Sequence, residues 1–211
     1  FFFSSRRRHT RFRNVTGVQT CALPICIALV DVGYAPLAPK LEAALKAISD
    51  KPVKYVLNTH WHGDHSDADQ YFGKTATIVA HENARKKMVS GGTLFPPFPA
   101  IALPVITFDD HITLHMKGGD LEGVHFDRGH TNTDTIYFFP GGKVAQTGDD
   151  FVNWPIPGFP AIEQDTDGTG GVDGQIAALE LVLSRTPADV KIIPGHGNIA
   201  TRDDEIGRAH V

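Results

Sequence analysis

Apolar residues along this chain fall into short runs and helical stripes separated by polar, glycine-bearing turns. Ile27-Ala28-Leu29-Val30 is an apolar run closed by Asp31 and Gly33, which predicts a buried strand running into a loop. Between Pro36 and Ser49, Leu37, Leu41, Leu45 and Ile48 recur at spacings of four and three. That is one face of an amphipathic helix, and Pro52 lies just beyond its end. The same patterns predict strands at 53–58, 77–80, 112–116, 121–126, 135–139, 144–146 and 190–193, with helices over 82–89 and 176–183. Two stretches resist such reading. Residues 91–104 carry four prolines and two phenylalanines, and residues 151–171 are rich in Pro, Gly and Asp. Loops of this length inside a compact domain tend to be functional lids or walls. There is no internal repeat, and no apolar run approaches the roughly 18 residues of a membrane span.

Composition changes the picture once the chain ends are considered. Val15 to Ile25 is what the end of a widely used sequencing adapter encodes in one frame, Ser4 to Arg11 matches its upstream arm, and Ile206 to Val211 matches another adapter stretch. Residues 1–25 and 206–211 are therefore expected to be adapter-derived and are set aside from fold reasoning. They hold six arginines and no acid, so basic residues fall from 20 to 14 against 24 acids, and net charge from −4 to −10. The expected domain, 26–205, is acidic, which removes the electrostatic basis for nucleic-acid binding. Cys26 stands at the junction and carries no chemistry, and two cysteines in all are too few for a disulfide scaffold.

Nine histidines remain in 26–205, and four potential ligands crowd into His60-Trp61-His62-Gly63-Asp64-His65, directly after a predicted strand. A loop at a strand end can turn His60 and His62 toward one point and leave Asp64 and His65 to face a second. His130 (in Gly-His-Thr), Asp149 (in Thr-Gly-Asp) and His196 (in Gly-His-Gly) each stand where an apolar strand gives way to a glycine-bearing turn. Ligands at several strand ends can converge on one sheet edge, where glycines allow close backbone approach. Histidine and carboxylate without thiolate suit zinc best, with manganese or iron as alternatives.

His-Trp-His-Gly-Asp-His, Gly-His-Thr, Thr-Gly-Asp and Gly-His-Gly, in this order, resemble the metallo-β-lactamase superfamily. The likeness covers nearly all of 26–205, and Leu29-Val30-Asp31-Val32-Gly33 is similar to the family's Asp-Thr-Gly turn. It implies an α/β fold, a four-layer αββα sandwich, here expected to lack part of its N-terminal sheet because only five residues of the domain precede Asp31. It further implies two zinc ions: one held by His60, His62 and His130, the other by Asp64, His65 and His196, with Asp149 bridging and Asp31 behind them. Ser66-Asp67-Ala68 departs from the glycines many relatives carry there, which alters the local turn but not the ligands.

The resemblance also implies hydrolysis of an ester, thioester, lactone or amide by metal-activated water, with Asp64 orienting the nucleophile and a small molecule as substrate. Zinc β-lactamases generally lack an aspartate at the position of Asp149, whereas thioester- and lactone-cleaving relatives carry it, so β-lactam hydrolysis ranks second. An iron-dependent persulfide dioxygenase and an inactive metal-binding remnant are further alternatives. Neither a nucleic-acid nor a membrane partner is expected. The compartment, cytoplasm or periplasm of a bacterium, and the oligomeric state are left open. His81, His111, His115 and His125 are read as structural or solvated, Asp67, Asp69 and Asp134 as turn, cap or supporting groups, and Trp61 as packing under the site or lining its mouth.

Overall fold

The computed structural model describes residues 19–22, 26–93, 95–153 and 170–204. One sheet has the order β1 (Gln19–Ala22), β2 (Ile27–Val30), β3 (Val53–Leu57), β4 (Thr77–His81) and β5 (Ile106–Phe108). Strands β2 to β5 are parallel, and β1 pairs antiparallel on the β2 edge. The second sheet has the order β10 (Lys191–Gly197), β9 (Val144–Asn153), β8 (Asp134–Phe138), β7 (Leu121–Phe126) and β6 (His111–Leu114), antiparallel except for β9 with β10. The helices are α1 (Ala38–Ile48), α2 (Gly63–Ser66), α3 (Asp69–Phe72), α4 (Glu82–Ser90) and α5 (Val172–Arg185).

The layering follows from strand periodicity. Successive side chains of a strand face opposite ways, so the run at β2 divides. Ile27 and Leu29 pack with Ala38 and Leu45 of α1 and Phe72 of α3. Ala28 and Val30 face the other way, into a core with Leu57, Val79, Leu121 and Tyr137 drawn from both sheets. In the second sheet Tyr137 points into that shared core, while Ile136 and Phe138 pack on Ala178, Leu179 and Val182 of α5. Helix, sheet, sheet, helix is the result, an αββα sandwich. Leu29 is fully buried, and a leucine so placed contributes about 1.5–3 kcal/mol relative to exposure.

Several elements depart from their expected limits. The 144–146 strand extends to Asn153, because β10 lies alongside and pairs with Gln146, Gly148, Val152 and Asn153, on both sides of a polar stretch, Thr147-Gly148-Asp149, that reads as a turn. β5 and the short helices α2 and α3 carry too few residues to show a period. The helix expected at 36–49 begins as a 3-10 turn, Ala35–Leu37, before α1. β1 falls inside the stretch expected to be adapter-derived, where Gln19 to Ala22 register against Val30 to Ile27. The remaining adapter-assigned residues, 1–18, 23–25 and 206–211, lie outside the described residues, as does most of the 151–171 loop. Among the described residues no helix is long and apolar enough to cross a membrane.

Candidate metal centre

Parallel strands place their carboxyl ends on one edge of a sheet, and ligands gather there. Asp31 follows β2, the His60-to-His65 segment follows β3, His130 precedes β8, and Asp149 and His196 lie in β9 and β10. All seven expected ligands come together in two adjacent groups, His60, His62 and His130 in one and Asp64, His65, Asp149 and His196 in the other. Within each group the candidate ligand atoms lie within 4.8 Å of one another. Asp149 stands between the groups: its Oδ2 is 3.6 Å from His130 Nε2, 3.9 Å from His60 Nε2 and 3.4 Å from His196 Nε2. A Cβ on Gly195 would overlap Asp149 Oδ1, so β10 can pass this carboxylate only with glycine there.

The local chain folds so that each ring presents a chosen nitrogen. Asp64 and His65 sit on the single turn α2, not on a loop, because the His62 carbonyl accepts from the N–H groups of His65 and Ser66, both at 3.0 Å. The His65 carbonyl in turn accepts from Val32 N and Gly33 N. Asp31 has φ 56°, a left-handed conformation that Asp tolerates better than most residues. Its carboxylate accepts from Thr59 N (2.8 Å), Thr59 Oγ1 (2.9 Å) and His65 Nδ1 (2.9 Å). The Thr59 hydroxyl has one proton, and it goes to Asp31. His60 Nδ1, 3.0 Å away, is therefore the donor to that hydroxyl. His60 Nε2 is thereby left facing inward with a lone pair, and the Asp31 contact turns His65 so that its Nε2 also faces inward, the orienting role that outer partners play for metal-binding histidines.

Charge divides the two groups. Burial and the neighbouring rings of His65 and His62 hold His60 well below the usual imidazole range. Burial and the adjacent His130 bring His62 down to about 4. In the other group burial opposes charging of His65, but Asp149 and Asp31 outweigh it and raise its pKa well above the usual range. Hydrogen bonds to Asp149 and Asp64 raise His196 to about 9. Burial works against ionisation of Asp149, and His65, His196 and His60 overcome it, holding the carboxyl well below its usual range. Burial also opposes ionisation of Asp64, and its hydrogen bond to His196 (3.1 Å) and the nearby His65 lower it nonetheless.

The donor set fits metal ions. His60 Nε2 is buried and makes no hydrogen bond, and His65 Nε2 meets Asp149 Oδ1 at 3.2 Å as a buried charged contact whose proton a metal would replace. Buried polar atoms are normally satisfied, and a cation at the first group would satisfy His60 Nε2. Three and four nitrogen and oxygen donors suit zinc.

The other residues singled out in the sequence make the following contacts. Trp61 is buried beneath the motif with Ala80, Ala84 and Met88. His81 Nδ1 accepts from Asn83 N at the start of α4, and its ring stacks on that of His125 at 3.5 Å. Burial and His125 bring His81 down to about 4, and His125 itself contacts the Asp134 carbonyl at 2.8 Å. His111 and His115 are on the surface, the latter 3.1 Å from Asp120. Asp67 accepts from Ala35 N, Asp69 from Asn58 Nδ2, and Asp134 from Thr131. Thr59, Asp150 and Phe95 were not foreseen. Phe95 lies against the His62 ring, with centroids 5.3 Å apart. The only signal for any of them was position, beside a ligand or within the proline-rich loop.

The family model described as metallo-beta-lactamase superfamily matches residues 26–196, and the chain belongs to that superfamily. Family and ligand clusters together support a metal-dependent hydrolase. Among solved structures, a metallo-beta-lactamase from Pontibacter korlensis is similar at TM-score 0.76 and 18% identity, over 90% of this chain and 84% of that one. The metallo-beta-lactamase DIM-1 is similar at TM-score 0.73 and 16% identity, over 92% and 84% of the respective chains. TMB-1 is similar at TM-score 0.72 and 17% identity, over 92% and 83%. At such identities the likeness concerns the fold. No curated protein matches the chain.

Proposed function

We propose that the chain is a two-zinc hydrolase acting on the carbonyl of a small ester, thioester, lactone or amide. The observation that carries this reading is the pair of ligand groups meeting at one buried carboxylate, Asp149. His60, His62 and His130 would hold one ion, Asp64, His65 and His196 the other, and Asp149 would lie between them. Two such ions lower the pKa of a shared water toward neutrality and polarise the carbonyl under attack. The protein's part is placement. Asp31 fixes the His65 ring and, through Thr59, the His60 ring. Asp64, ionised and only 19% exposed, is the acceptor that orients the attacking water and takes its proton. No serine or cysteine nucleophile is required, so no acyl-enzyme forms.

Asp149 also bears on the substrate. A buried carboxylate between the groups adds negative charge beside both ions and would make each a weaker Lewis acid. A lactam nitrogen leaves poorly without strong electrophilic help, whereas thiolates and alkoxides need less. Ester, thioester or lactone cleavage therefore ranks ahead of β-lactam cleavage, the second reading, which the fold likeness to metallo-beta-lactamases favours. Zinc-loaded protein is tested on thioester and lactone panels beside a chromogenic cephalosporin. Turnover of the former is expected. Robust cephalosporin hydrolysis with the other panels silent would reverse the order.

A further inference from the structure

Asp150 follows the bridging candidate Asp149 in β9, and its side chain is buried. Consecutive strand residues send their side chains in different directions. Asp149 reaches the ligand groups, while Asp150 Oδ1 accepts the backbone N–H of His130 at 2.9 Å. His130 rides on a tight turn that begins at Arg128, whose φ is 62°. A Cβ on Gly129 would overlap Asp150 Oδ1 and would come within 2.6 Å of Asp134 Oδ2, so the turn is pressed against two carboxylates. Asp134 clamps the next residue, accepting from Thr131 N at 2.7 Å and Thr131 Oγ1 at 2.5 Å.

We infer that Asp150 is a positioning residue for the first ligand group, setting where the His130 ring stands relative to His60 and His62. Asp149 and Asp150 then form a two-residue gauge. One carboxylate stands between the groups while its neighbour fixes the backbone of a ligand on the turn between β7 and β8, so the spacing of the groups is tied to one short piece of β9. The inference rests on the metal-centre reading proposed above. It assigns Asp150 no contact with substrate or metal. Its contribution is geometric, and a carboxamide with an acceptor oxygen at the same reach should supply it.

Zinc titration of the metal-free protein against a chromophoric chelator tests this, with His60→Ala identifying the binding step that belongs to the first group. Asp150→Ala should weaken that step about 10–100-fold, the usual effect of losing an outer partner of a metal ligand, and leave the other step in place. Asp150→Asn should bind like the parent. Asp150→Glu keeps the charge but moves the acceptor by a methylene, and should weaken the first step. Asn and Glu fill the site, so the Asn–Glu contrast decides the matter even where Asp150→Ala does not fold. Equal loss at both steps, unchanged binding in Asp150→Ala, or a parent-like Asp150→Glu would overturn the inference. A parent protein that takes up no zinc overturns the metal-centre reading and this inference with it, an outcome separate from the others.

Discussion

The two ligand groups touch through one carboxylate yet solve opposite electrostatic problems. His60, His62 and His130 are nearly fully buried, with no acid of their own. Burial strips the charge from His60 and His62; His60 Nε2 is left without a hydrogen-bond partner, while His62 Nδ1 and His130 Nε2 share a hydrogen bond at 3.2 Å. Asp64, His65, Asp149 and His196 neutralise one another instead, and two of them are open to solvent at about a fifth of their surface. His65 and His196 hold protons against the flanking carboxylates. The first group is a dry basic cradle, and the second is an ion-pair cluster in which a metal must replace protons. Entry of a cation therefore costs the second group an exchange that His60 and His62 do not impose on the first.

The largest expected effect comes from removing ligands. His60→Ala and His196→Ala should each reduce bound zinc from about two equivalents to about one under limiting metal. Activity should fall by more than the about 10–100-fold that loss of an outer partner costs. Mass-spectrometric metal analysis beside a turnover assay reads both. If either variant lost both ions together, the groups would be one cooperative site and the contrast between them would fail.

Next comes pH. His196 titrates at about 9, so below that value it carries a proton that an incoming ion must displace. Each unit of acidification below 9 should then weaken zinc at the second group by at least about tenfold, and by more wherever His65 also holds its proton. His62 stays neutral down to about 4 and adds no such dependence at the first group. The stability of the metal-free protein follows the same signs. The raised pKa of His196 stabilises the fold fully below the ordinary value of 6.5, and that part is lost as pH rises through about 9. The depressed pKa of His62 works the other way, with stability lost as pH falls from 6.5 to about 4. Zinc titrations and chemical denaturation across pH 5 to 9 would show both. Equal pH slopes at the two groups would remove the electrostatic distinction.

How far the chain could be read in advance follows the same division between local and distant information. The candidate ligands were legible because histidines and aspartates beside apolar strand ends have no local reason to be there. All seven converge. The layers could not be read from periodicity, since a run such as 27–30 is apolar on both faces, and they came instead from family likeness. What stayed hidden depends on contacts between distant segments. Thr59 is an ordinary threonine until Asp31, 28 residues away, meets its hydroxyl, and Asp150 is an ordinary acid until His130, 20 residues away, meets its oxygen. β9 looked short because its continuation is polar, and only the neighbouring β10 makes it a strand. The β1 segment was set aside because it matches translated adapter sequence, yet a backbone ladder accepts most side chains, and the open edge of β2 supplied the partner.

The smallest expected effect concerns Phe95, which belongs to the first group's side of the comparison. Its ring lies 5.3 Å from that of His62 and 5.7 Å, edge to face, from Trp61. A Cβ on Gly63 would come within 2.7 Å of Phe95 Cδ1, so the motif's glycine leaves room for this ring. The proline-rich loop is thereby pinned over the outer side of one ligand. An aromatic pair of this kind contributes about 0.5–1.5 kcal/mol beyond area burial, and in a domain of this size each kcal/mol moves Tm by about 2–4 °C. Phe95→Ala should therefore lower Tm by a few degrees and loosen zinc at the first group slightly, with two ions still bound. Gly63→Ala should act in the same direction by pushing the ring away while leaving it in the chain. Calorimetry of metal-free and zinc-loaded protein, with the zinc titration repeated on each variant, checks this. The pH slope of the second group should not change in either variant. A change there as large as at the first group would mean that the loop braces the whole centre, and the division between a dry cradle and an ion-pair cluster would no longer describe how the two are held.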